Sequence, residues 1–449
     1  MRGAIRALAS AGLLLCGTAV QAQARGDAKG VAIGATSRVR AEAIDGQARA
    51  GFNESDELLN VRTTVSAEYE TAPVRLMAEL WDSRVYGANH GTPVSPNEVN
   101  ALEFVQAFAE FRLGEVAGAK STATLQVGRY LLNIGSRRLV AADDYRNTTN
   151  GYTGVRGDIA IPLGWRATLL YTLPQQRRPD DLEALLDNEV GSDHEGFDLV
   201  LWGGLVSRAK AIGPATVEAS FFHLGEHDRP GRPTRDRSLD TASLRLIRDP
   251  QPGAFDVEVE AIVQQGRAAA GTGATAALQK VRAWFVHVDA GHTFGGGWKP
   301  RVSVEYDHAS GDGRGGAYGR FDTLFGMRRA DLAPSGLYNA VARANIVTPG
   351  VRLEVVPTRR TDGFVGYRPM WLASRYDSFS TANVRDATGR SGSFAGHQVD
   401  ARIRHRLTPA LMLEADVVVL AKGRFLRDAP NAPAGSWTRY LSLNATASF

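Results

Sequence analysis

Cysteine is almost absent from this chain of 449 residues, with a single residue at Cys16. Cys16 lies in an N-terminal stretch with the features of a secretory signal peptide, which we predict over residues 1–24. These features are a basic start at Arg2 and Arg6, an apolar stretch from Leu8 to Val20, and an Ala22-Gln23-Ala24 cleavage site. The mature chain, 25–449, then has no cysteine, which excludes a small disulfide-rich secreted scaffold.

Long apolar runs are also missing. Beyond the predicted signal peptide, no run reaches the roughly 18 apolar residues that a transmembrane helix needs. The mean hydropathy is slightly polar, at −0.21. A β-barrel with a lipid-facing outside and a wet interior crosses a membrane at such a hydropathy. No linker or change of composition divides residues 25–449, so we predict one large domain.

Net charge and lysine are both scarce. The formal net charge is +4, and removal of Arg2 and Arg6 with the signal peptide lowers it to about +2. A chain so close to neutrality is not expected to bind nucleic acid. Only six basic residues are lysine, so almost all are arginine. Guanidinium groups match the geometry of carboxylate and phosphate groups, so the arginine bias favours an anionic partner.

The last twelve residues, 438–449, alternate strictly between apolar and polar side chains. One face holds Leu441, Leu443, Ala445, Ala447 and Phe449, and the other holds Tyr440, Ser442, Asn444, Thr446 and Ser448. A period of two predicts a strand with one apolar face. The chain ends on this bare strand, which suits a closed barrel in which the last strand pairs with the first. A terminal Phe on such a strand also resembles the assembly signal of bacterial outer-membrane barrels. The edge strand of a soluble β-sandwich is the alternative.

The same alternation recurs along the chain, and short and long connections follow one another. Alternating runs cover 59–69, 74–80, 105–113, 255–264, 399–404 and 411–417. Short links fall near 70–73, 114–120, 162–164, 208–213, 249–252, 294–298, 358–362 and 408–409. Longer ones fall at 45–57, 84–101, 131–151, 174–196, 225–236, 267–279, 310–348, 374–395 and 422–436. We therefore predict an all-β, transmembrane antiparallel β-barrel of about 18 strands in the bacterial outer membrane, with both ends in the periplasm and an aqueous lumen.

A group of short motifs lies between residues 128 and 158. They are Gly128-Arg129-Tyr130, Gly135-Ser136-Arg137-Arg138-Leu139-Val140, Asn147, and Gly154-Val155-Arg156. With Ser310-Gly311-Asp312, Phe321-Asp322, Phe325 and Gly396-His397-Gln398-Val399-Asp400, they resemble the alginate-export family of outer-membrane barrels over about 38–449. Tyr130 stands where the family pattern has Gln. The resemblance implies an eighteen-stranded barrel whose arginine-lined constriction passes an acidic polysaccharide.

Nine arginines are candidates to line that path, three from the motifs and six from strand parity. They are Arg129, Arg138 and Arg156 from the motifs, and Arg62, Arg75, Arg112, Arg352, Arg402 and Arg404 from parity. A polyuronate has one carboxylate per sugar, which arginine binds bidentately. The competing interpretation is that these arginines pair across strands with lumen carboxylates. Candidate carboxylates are Glu68, Glu79, Glu110, Asp158, Asp256, Glu258, Glu260, Glu305, Asp307, Glu354 and Asp400.

Other motifs point less clearly to chemistry. The long loop 310–348 is glycine-rich at its start and is expected to gate or cap the pore, with Arg328-Arg329 able to attract an anion. Asp180, Asp181, Glu183 and Asp187 are read as a solvated acidic surface, with a cation site as the alternative. His223-Leu224-Gly225-Glu226-His227 matches a zinc pattern that requires a helix, but it straddles a strand end, so we interpret it as chance.

The sequence therefore predicts a channel without a catalytic site, cofactor or metal. The expected partners are an anionic polysaccharide or oligosaccharide, outer-membrane lipid and lipopolysaccharide, the barrel-assembly machinery, and periplasmic export partners. Nucleic acid is not among them. Three alternatives stay open: a general porin for small acidic nutrients, a barrel enzyme acting on lipids, and a structural barrel with a plugged lumen.

Overall fold

The computed structural model describes residues 30–143, 145–273, 275–327 and 332–449. The predicted signal peptide, its cleavage site and the pair Arg328-Arg329 lie outside these residues. Among the described residues, no helix is both long enough and apolar enough to cross a membrane.

Eighteen strands account for most of the described chain. They are β1 Gly30–Asp45, β2 Ser55–Glu70, β3 Val74–Tyr86, β4 Asn100–Gly114, β5 Thr122–Leu131, β6 Gly151–Ile161, β7 Trp165–Pro174, β8 Leu199–Ile212, β9 Ala215–Glu226, β10 Ser238–Arg248, β11 Phe255–Ala269, β12 Leu278–Thr293, β13 Arg301–Ala309, β14 Ile346–Thr358, β15 Thr361–Trp371, β16 Phe394–Thr408, β17 Leu411–Lys422 and β18 Trp437–Ser448. A 3₁₀ turn, Pro162–Gly164, and two short helices, Leu182–Leu186 and Arg424–Asp428, lie in the connections.

Each strand pairs antiparallel with its neighbours in sequence, and β1 pairs with β18 to close the ring. The closing register runs from Thr36 opposite Ser448 to Asp45 opposite Arg439. The backbone N–H of Phe449 donates to the Ala35 carbonyl oxygen at 2.8 Å, so the chain end is held in the sheet. The predicted eighteen-stranded antiparallel barrel is confirmed.

Most predicted connections agree with the structure to within a few residues, and the turn near 208–213 differs most. Strand β8 continues to Ile212, beyond an irregularity between Arg208 and Ile212. Lys210 has a positive φ of 55° there. A β-bulge breaks the period of two without ending the strand, so parity alone places the turn too early.

The outer face of the barrel is apolar. Val31, Ile33 and Leu169 are 71%, 74% and 60% exposed. Tryptophans Trp165 and Trp437 stand near opposite ends of the wall, 39% and 51% exposed, as in the aromatic belts of membrane proteins. Because a charge on a lipid-facing position costs about 2–4 kcal/mol at the midplane, this pattern matches a wall surrounded by lipid. By the same architecture, the short turns face the periplasm and the long loops face outwards.

The interior of the barrel is polar along the strands, but it also contains a buried apolar cluster. This cluster includes Leu337, Tyr338 and Val341, all at most 1% exposed, and none of them lies on a strand. They belong to the loop between β13 and β14, so part of the lumen is filled by loops that fold inwards.

Candidate pore constriction

The loop between β5 and β6, residues 132–150, folds into the lumen. Its second half is hydrogen-bonded to strands β1 and β2. Arg38 donates through Nη2 to the Arg146 carbonyl oxygen at 2.7 Å, and Arg62 donates to the same oxygen at 3.2 Å. Arg40 donates to the carbonyl oxygen of Tyr145 and lies 4.6 Å from the centre of its ring. Arginines of the wall therefore satisfy the carbonyl groups that this loop brings into the barrel.

Asn147 fixes the same end of the loop. Its side chain is fully buried, and its Nδ2 donates to the carbonyl oxygens of Val61, Arg84 and Glu98 at 3.3, 3.0 and 2.9 Å. One amide thus joins the loop to β2, to β3 and to the extracellular loop between β3 and β4. This contact gives the motif residue Asn147 a positional role.

The other end of the loop reaches the opposite wall. The Arg138 side chain is 3% exposed and pairs with Glu260 at 2.7 Å and with Glu258, both on β11. Arg245 of β10 shares Glu258, at 2.9 Å. Strands β1 and β10 stand nine positions apart in the ring of eighteen, which places them on opposite sides. Residues 132–150 therefore cross the lumen from wall to wall.

A second inserted loop, between β13 and β14 (residues 310–345), packs against the first. The backbone N–H groups of Phe325 and Met327 donate to the carbonyl oxygens of Leu139 and Arg137 at 3.0 and 2.9 Å. The Ala141 N–H donates back to the Phe325 oxygen at 3.1 Å. The motif residues 137–141 thus form the seam between the loops, and the two loops together define the constriction.

The second loop is itself anchored on the β1 and β16 side. The Leu337 N–H donates to Glu42 at 2.8 Å, and the Tyr338 hydroxyl donates to Gln398 at 2.6 Å. The predicted pair Arg328-Arg329 belongs to this loop but lies outside the described residues.

Three of the nine candidate arginines come together on the lumen side of β14–β16. Arg352 and Arg402 lie over the ring of Phe364, 3.7 and 5.1 Å from its centre. Arg404 pairs with Asp362 at 2.9 Å, and its side chain is 37% exposed. Arg352 also pairs with Glu354 at 3.1 Å. We call Arg352, Phe364, Arg402 and Arg404 the arginine–phenylalanine cluster.

Three further candidates follow the inward parity without joining this cluster. Near the periplasmic turns, Arg75 makes a bidentate pair with Glu68, with both contacts at 3.0 Å, and Arg112 pairs with Glu70. On β6, Arg156 pairs with Asp158 at 2.7 Å. Each of these three cations is matched by a carboxylate close to it on the wall.

Arg129 occupies a different position from the other candidates. It stands opposite Ala107 in the β4–β5 register. Val127, two residues earlier and therefore on the same face of β5, is 42% exposed on the outer face. The guanidinium pairs with Glu103 and Glu195 at the extracellular end of the wall. The register therefore puts Arg129 on the outward parity, and its pairs tie the loop after β7 to β4.

Close backbone contacts explain why glycine precedes Arg129. Gly128 stands opposite Gly154, and a Cβ on Gly128 would lie 2.4 Å from the Ala107 carbonyl oxygen. A Cβ on Gly154 would lie 2.2 Å from the Tyr171 oxygen. Both motif glycines thus allow neighbouring backbones to approach closely.

Several lumen arginines escaped the sequence reasoning. Arg38 and Arg40 lie on β1, where residues 35–43 alternate between apolar and polar side chains, so strand parity marks both. Arg301 is 9% exposed in its side chain and contacts Asp256, Asp289 and Glu354 from β13. The alternation of β13 marks Arg301 as a lumen residue. No local pattern marks Arg146, which lies in the inserted loop 132–150.

The extracellular loop after β7 carries buried charges. Burial, together with the nearby Glu103 carboxylate, raises the pKa of Asp193 to about 6. Arg178 donates its backbone N–H to Asp193 at 2.9 Å, and Asn100 donates to it at 3.1 Å. Burial lowers the pKa of Arg177 to about 10. Asp193 is therefore a group in this loop whose charge changes near neutral pH.

The zinc-like pattern does not form a metal site in the described residues. His223 contacts Asp240 on the neighbouring strand at 2.7 Å, and Glu226 pairs with Arg237 at 2.7 Å. Throughout 30–143, 145–273, 275–327 and 332–449, no group of three or more His, Cys, Asp or Glu residues is placed to hold a metal ion.

Solved porins share this architecture. Pseudomonas aeruginosa OccK2 (OpdF) has a TM-score of 0.58 and 11% identity over 93% of this chain and 97% of that one. Pseudomonas aeruginosa OccK8 (OprE) has a TM-score of 0.58 and 10% identity, covering 93% and 98%. A BenF-like porin from Pseudomonas fluorescens has a TM-score of 0.57 and 12% identity, covering 93% and 99%. These likenesses show the fold, a β-barrel of the outer-membrane porin type.

The family follows from the sequence itself. A family model described as alginate export matches residues 30–437, which is most of the chain. The chain belongs to the alginate-export family, and the resemblance inferred from its motifs is confirmed. No curated protein matches it. Family and fold together indicate a transport channel rather than an enzyme.

Proposed function

We propose that this channel passes an anionic polysaccharide or oligosaccharide of the polyuronate class along lumen arginines. The observation that carries the proposal is the arginine–phenylalanine cluster. A guanidinium binds a carboxylate through charge-assisted hydrogen bonds, and an aromatic ring offers an apolar face to the C–H side of a sugar. Arg404 is 37% exposed in its side chain, so an anion in the lumen can reach it.

A carboxylate shared within the cluster suits conduction. Asp362 lies 2.9 Å from Arg404 and 3.8 Å from Arg402, so one carboxylate is shared between two cations. Conduction requires sites that bind weakly enough to release the solute. A local carboxylate that competes for the guanidinium groups weakens the site without removing its preference for anions.

The narrowness of the lumen favours a second candidate, a porin for small carboxylates. Two inserted loops occupy the lumen, and Arg138 is paired at the far wall. Among the structurally similar porins, OccK2 was solved in complex with glucuronate and OpdK with vanillate, both of which carry one carboxylate. The same cluster would select such acids, so the length of the solute separates the two candidates.

Planar-bilayer recording with the purified protein tests both candidate functions, the polyuronate channel and the porin for small carboxylates. We expect a reversal potential that indicates anion preference, and concentration-dependent block by oligouronates. Substitution of Arg352, Arg402 and Arg404 by Gln is expected to weaken block about tenfold, since the loss of one or two charge-assisted hydrogen bonds costs about 1.5–3 kcal/mol. Arg208→Gln is the matched control, because Arg208 lies on the outer face over Trp165, 5.4 Å from the ring centre.

The outcomes separate the candidates. Block that strengthens with oligomer length supports the polyuronate channel, because a longer chain spans more than one weak site. Monouronate permeation without block by longer oligomers supports the small-acid porin. Unselective current that none of the three substitutions changes would refute both.

A further inference from the structure

Six exposed arginines lie on three neighbouring extracellular loops, 310–345, 372–393 and 423–436. They are Arg314, Arg375, Arg385, Arg390, Arg424 and Arg427. In the described part of these loops, Asp428 is the one exposed carboxylate, 3.5 Å from Arg424. We call these six residues the extracellular arginine patch. An excess of exposed cations this large creates a positive field at the surface.

The three loops form one continuous surface. Arg314 donates to the Thr388 carbonyl oxygen at 3.1 Å, which joins the first loop to the second. Arg424 donates to the Arg390 oxygen at 3.3 Å, which joins the third loop to the second. Backbone carbonyl groups thus position arginines of neighbouring loops next to one another.

Two further carboxylates near the patch are buried. Asp386 is buried and accepts hydrogen bonds from the N–H and side-chain hydroxyl of both Thr388 and Ser391. Asp377 is also buried and pairs with Arg320 at 2.8 Å. These acids stabilise the loops, while the guanidinium groups remain at the surface.

An aromatic ring lies at the centre of the patch. Arg314 and Arg375 lie over the ring of Tyr376, 4.3 and 5.1 Å from its centre. Arg375 also donates to the Tyr376 hydroxyl at 2.9 Å, and this hydrogen bond lowers the pKa of Tyr376. Arginine next to an aromatic ring is suited to a ligand that has both carboxylates and apolar sugar faces.

The patch is attached to the constriction. Asn345, at the end of the inserted loop, donates to the carbonyl oxygens of Ser374 and Ser378, both at 3.0 Å. The Ser380 hydroxyl donates to the Ala342 oxygen at 2.8 Å. The loop that carries Tyr376 therefore rests on the segment that fills the lumen, which places the patch at the extracellular mouth.

We propose that the extracellular arginine patch is a docking surface for an acidic polysaccharide at the mouth of the channel, separate from the lumen cluster. The choice of ligand rests on the proposed function. Charge complementarity and continuity with the inserted loop favour a chain at the mouth over the anionic headgroups of surrounding lipid. A chain held here would be retained near the opening between entry or exit events.

The experiment compares block by oligouronates added to one side of an oriented channel. Arg375, Arg390 and Arg427 are replaced together by Gln, because Arg314, Arg385 and Arg424 each donate to a loop carbonyl. We expect block from the extracellular side to weaken at least fivefold, with conductance and block from the periplasmic side unchanged. In about 1 M salt the difference should disappear, since exposed charges are screened there.

Arg439→Gln is the matched control. Its side chain is 65% exposed, as is that of Arg424, but it pairs with Asp45 near the start of β18. Unchanged block from the extracellular side in the triple variant would overturn the proposal, as would equal weakening from both sides. An effect confined to bilayers that contain lipopolysaccharide would also overturn it, because the patch would then serve lipid.

Direct binding separates this proposal from the proposed function. Calorimetry with polyuronate and detergent-solubilised protein measures docking without transport. Binding that the triple variant loses, together with the absence of block in any orientation, would sustain the patch and refute the polyuronate channel. Block by oligouronates, together with binding that the triple variant keeps, would refute the patch and sustain the polyuronate channel.

Discussion

Arg138 is the residue whose removal should widen the channel. It attaches one end of the loop 132–150 to Glu258 and Glu260 on the wall opposite the other anchors. Arg138→Met keeps much of the side-chain volume and removes the charge. Glu260, 3% exposed, would then remain buried without this partner. Removing one member of a buried ion pair costs about 3–5 kcal/mol.

That cost applies to the docked position of this end of the loop, so the docking equilibrium should shift by about 10²–10⁴-fold. The strands and the Asn147 anchor are untouched, so the barrel should still fold. We expect a larger single-channel conductance with frequent transitions, and faster proteolytic cleavage within 132–150. Arg137→Gln is the control, because the contact of Arg137 with Met327 is made by its backbone oxygen.

A double-mutant cycle tests the physical reason. Combining Arg138→Met with Glu260→Gln removes the buried unpaired charge, so the combined cost should be smaller than the sum of the separate costs. Conductance in Arg138→Met that equals that of the unaltered channel would refute the claim that this contact holds the loop across the lumen. Strict additivity of the two substitutions would refute the pairing argument.

Three further predictions concern other parts of the chain. Asn147→Leu removes one side-chain donor from three carbonyl oxygens, so we expect noisier current and a loss of stability of about 2–4 kcal/mol on denaturant unfolding. The raised pKa of Asp193, about 6, means that its contribution to loop stability is present at low pH and is lost as pH rises through 6. Proteolysis of the loop 175–198 should therefore accelerate from pH 4 to pH 7, and Asp193→Asn should abolish this dependence. Phe449→Ala keeps the backbone bonds to Ala35, so unfolding in vitro should change little while the amount assembled in the outer membrane falls.

Strand parity predicts the barrel because lipid outside and water inside impose the same alternation on every strand. The alternation of residues 438–449 predicts which face of β18 is apolar, and β18 pairs with β1 as expected for a closed barrel. Turns placed from the sequence err where a bulge interrupts the period, as at Lys210. A local pattern is therefore sufficient for the wall.

The constriction has no such local pattern. Residues 132–150 fold inwards because Arg38, Arg40 and Arg62 offer donors to loop carbonyl groups more than 80 positions away. Those contacts are unrelated to any period in the loop itself. Arg129 illustrates the limit, because its motif marks it for the pore, whereas the register gives it the outward parity beside Val127.

Charges in the extracellular loop 175–198 and in the lumen should respond differently to pH. Arginine stays protonated throughout the physiological range, so selectivity that depends on the arginine–phenylalanine cluster should be constant between about pH 5 and pH 8. Asp193, with its pKa raised to about 6, changes charge within that interval and lies in an extracellular loop. We therefore expect open probability to vary with pH while the reversal potential does not. A reversal potential that shifts across this range, in both the unaltered channel and Asp193→Asn, would place the titrating groups in the lumen and contradict the assignment of selectivity to arginine.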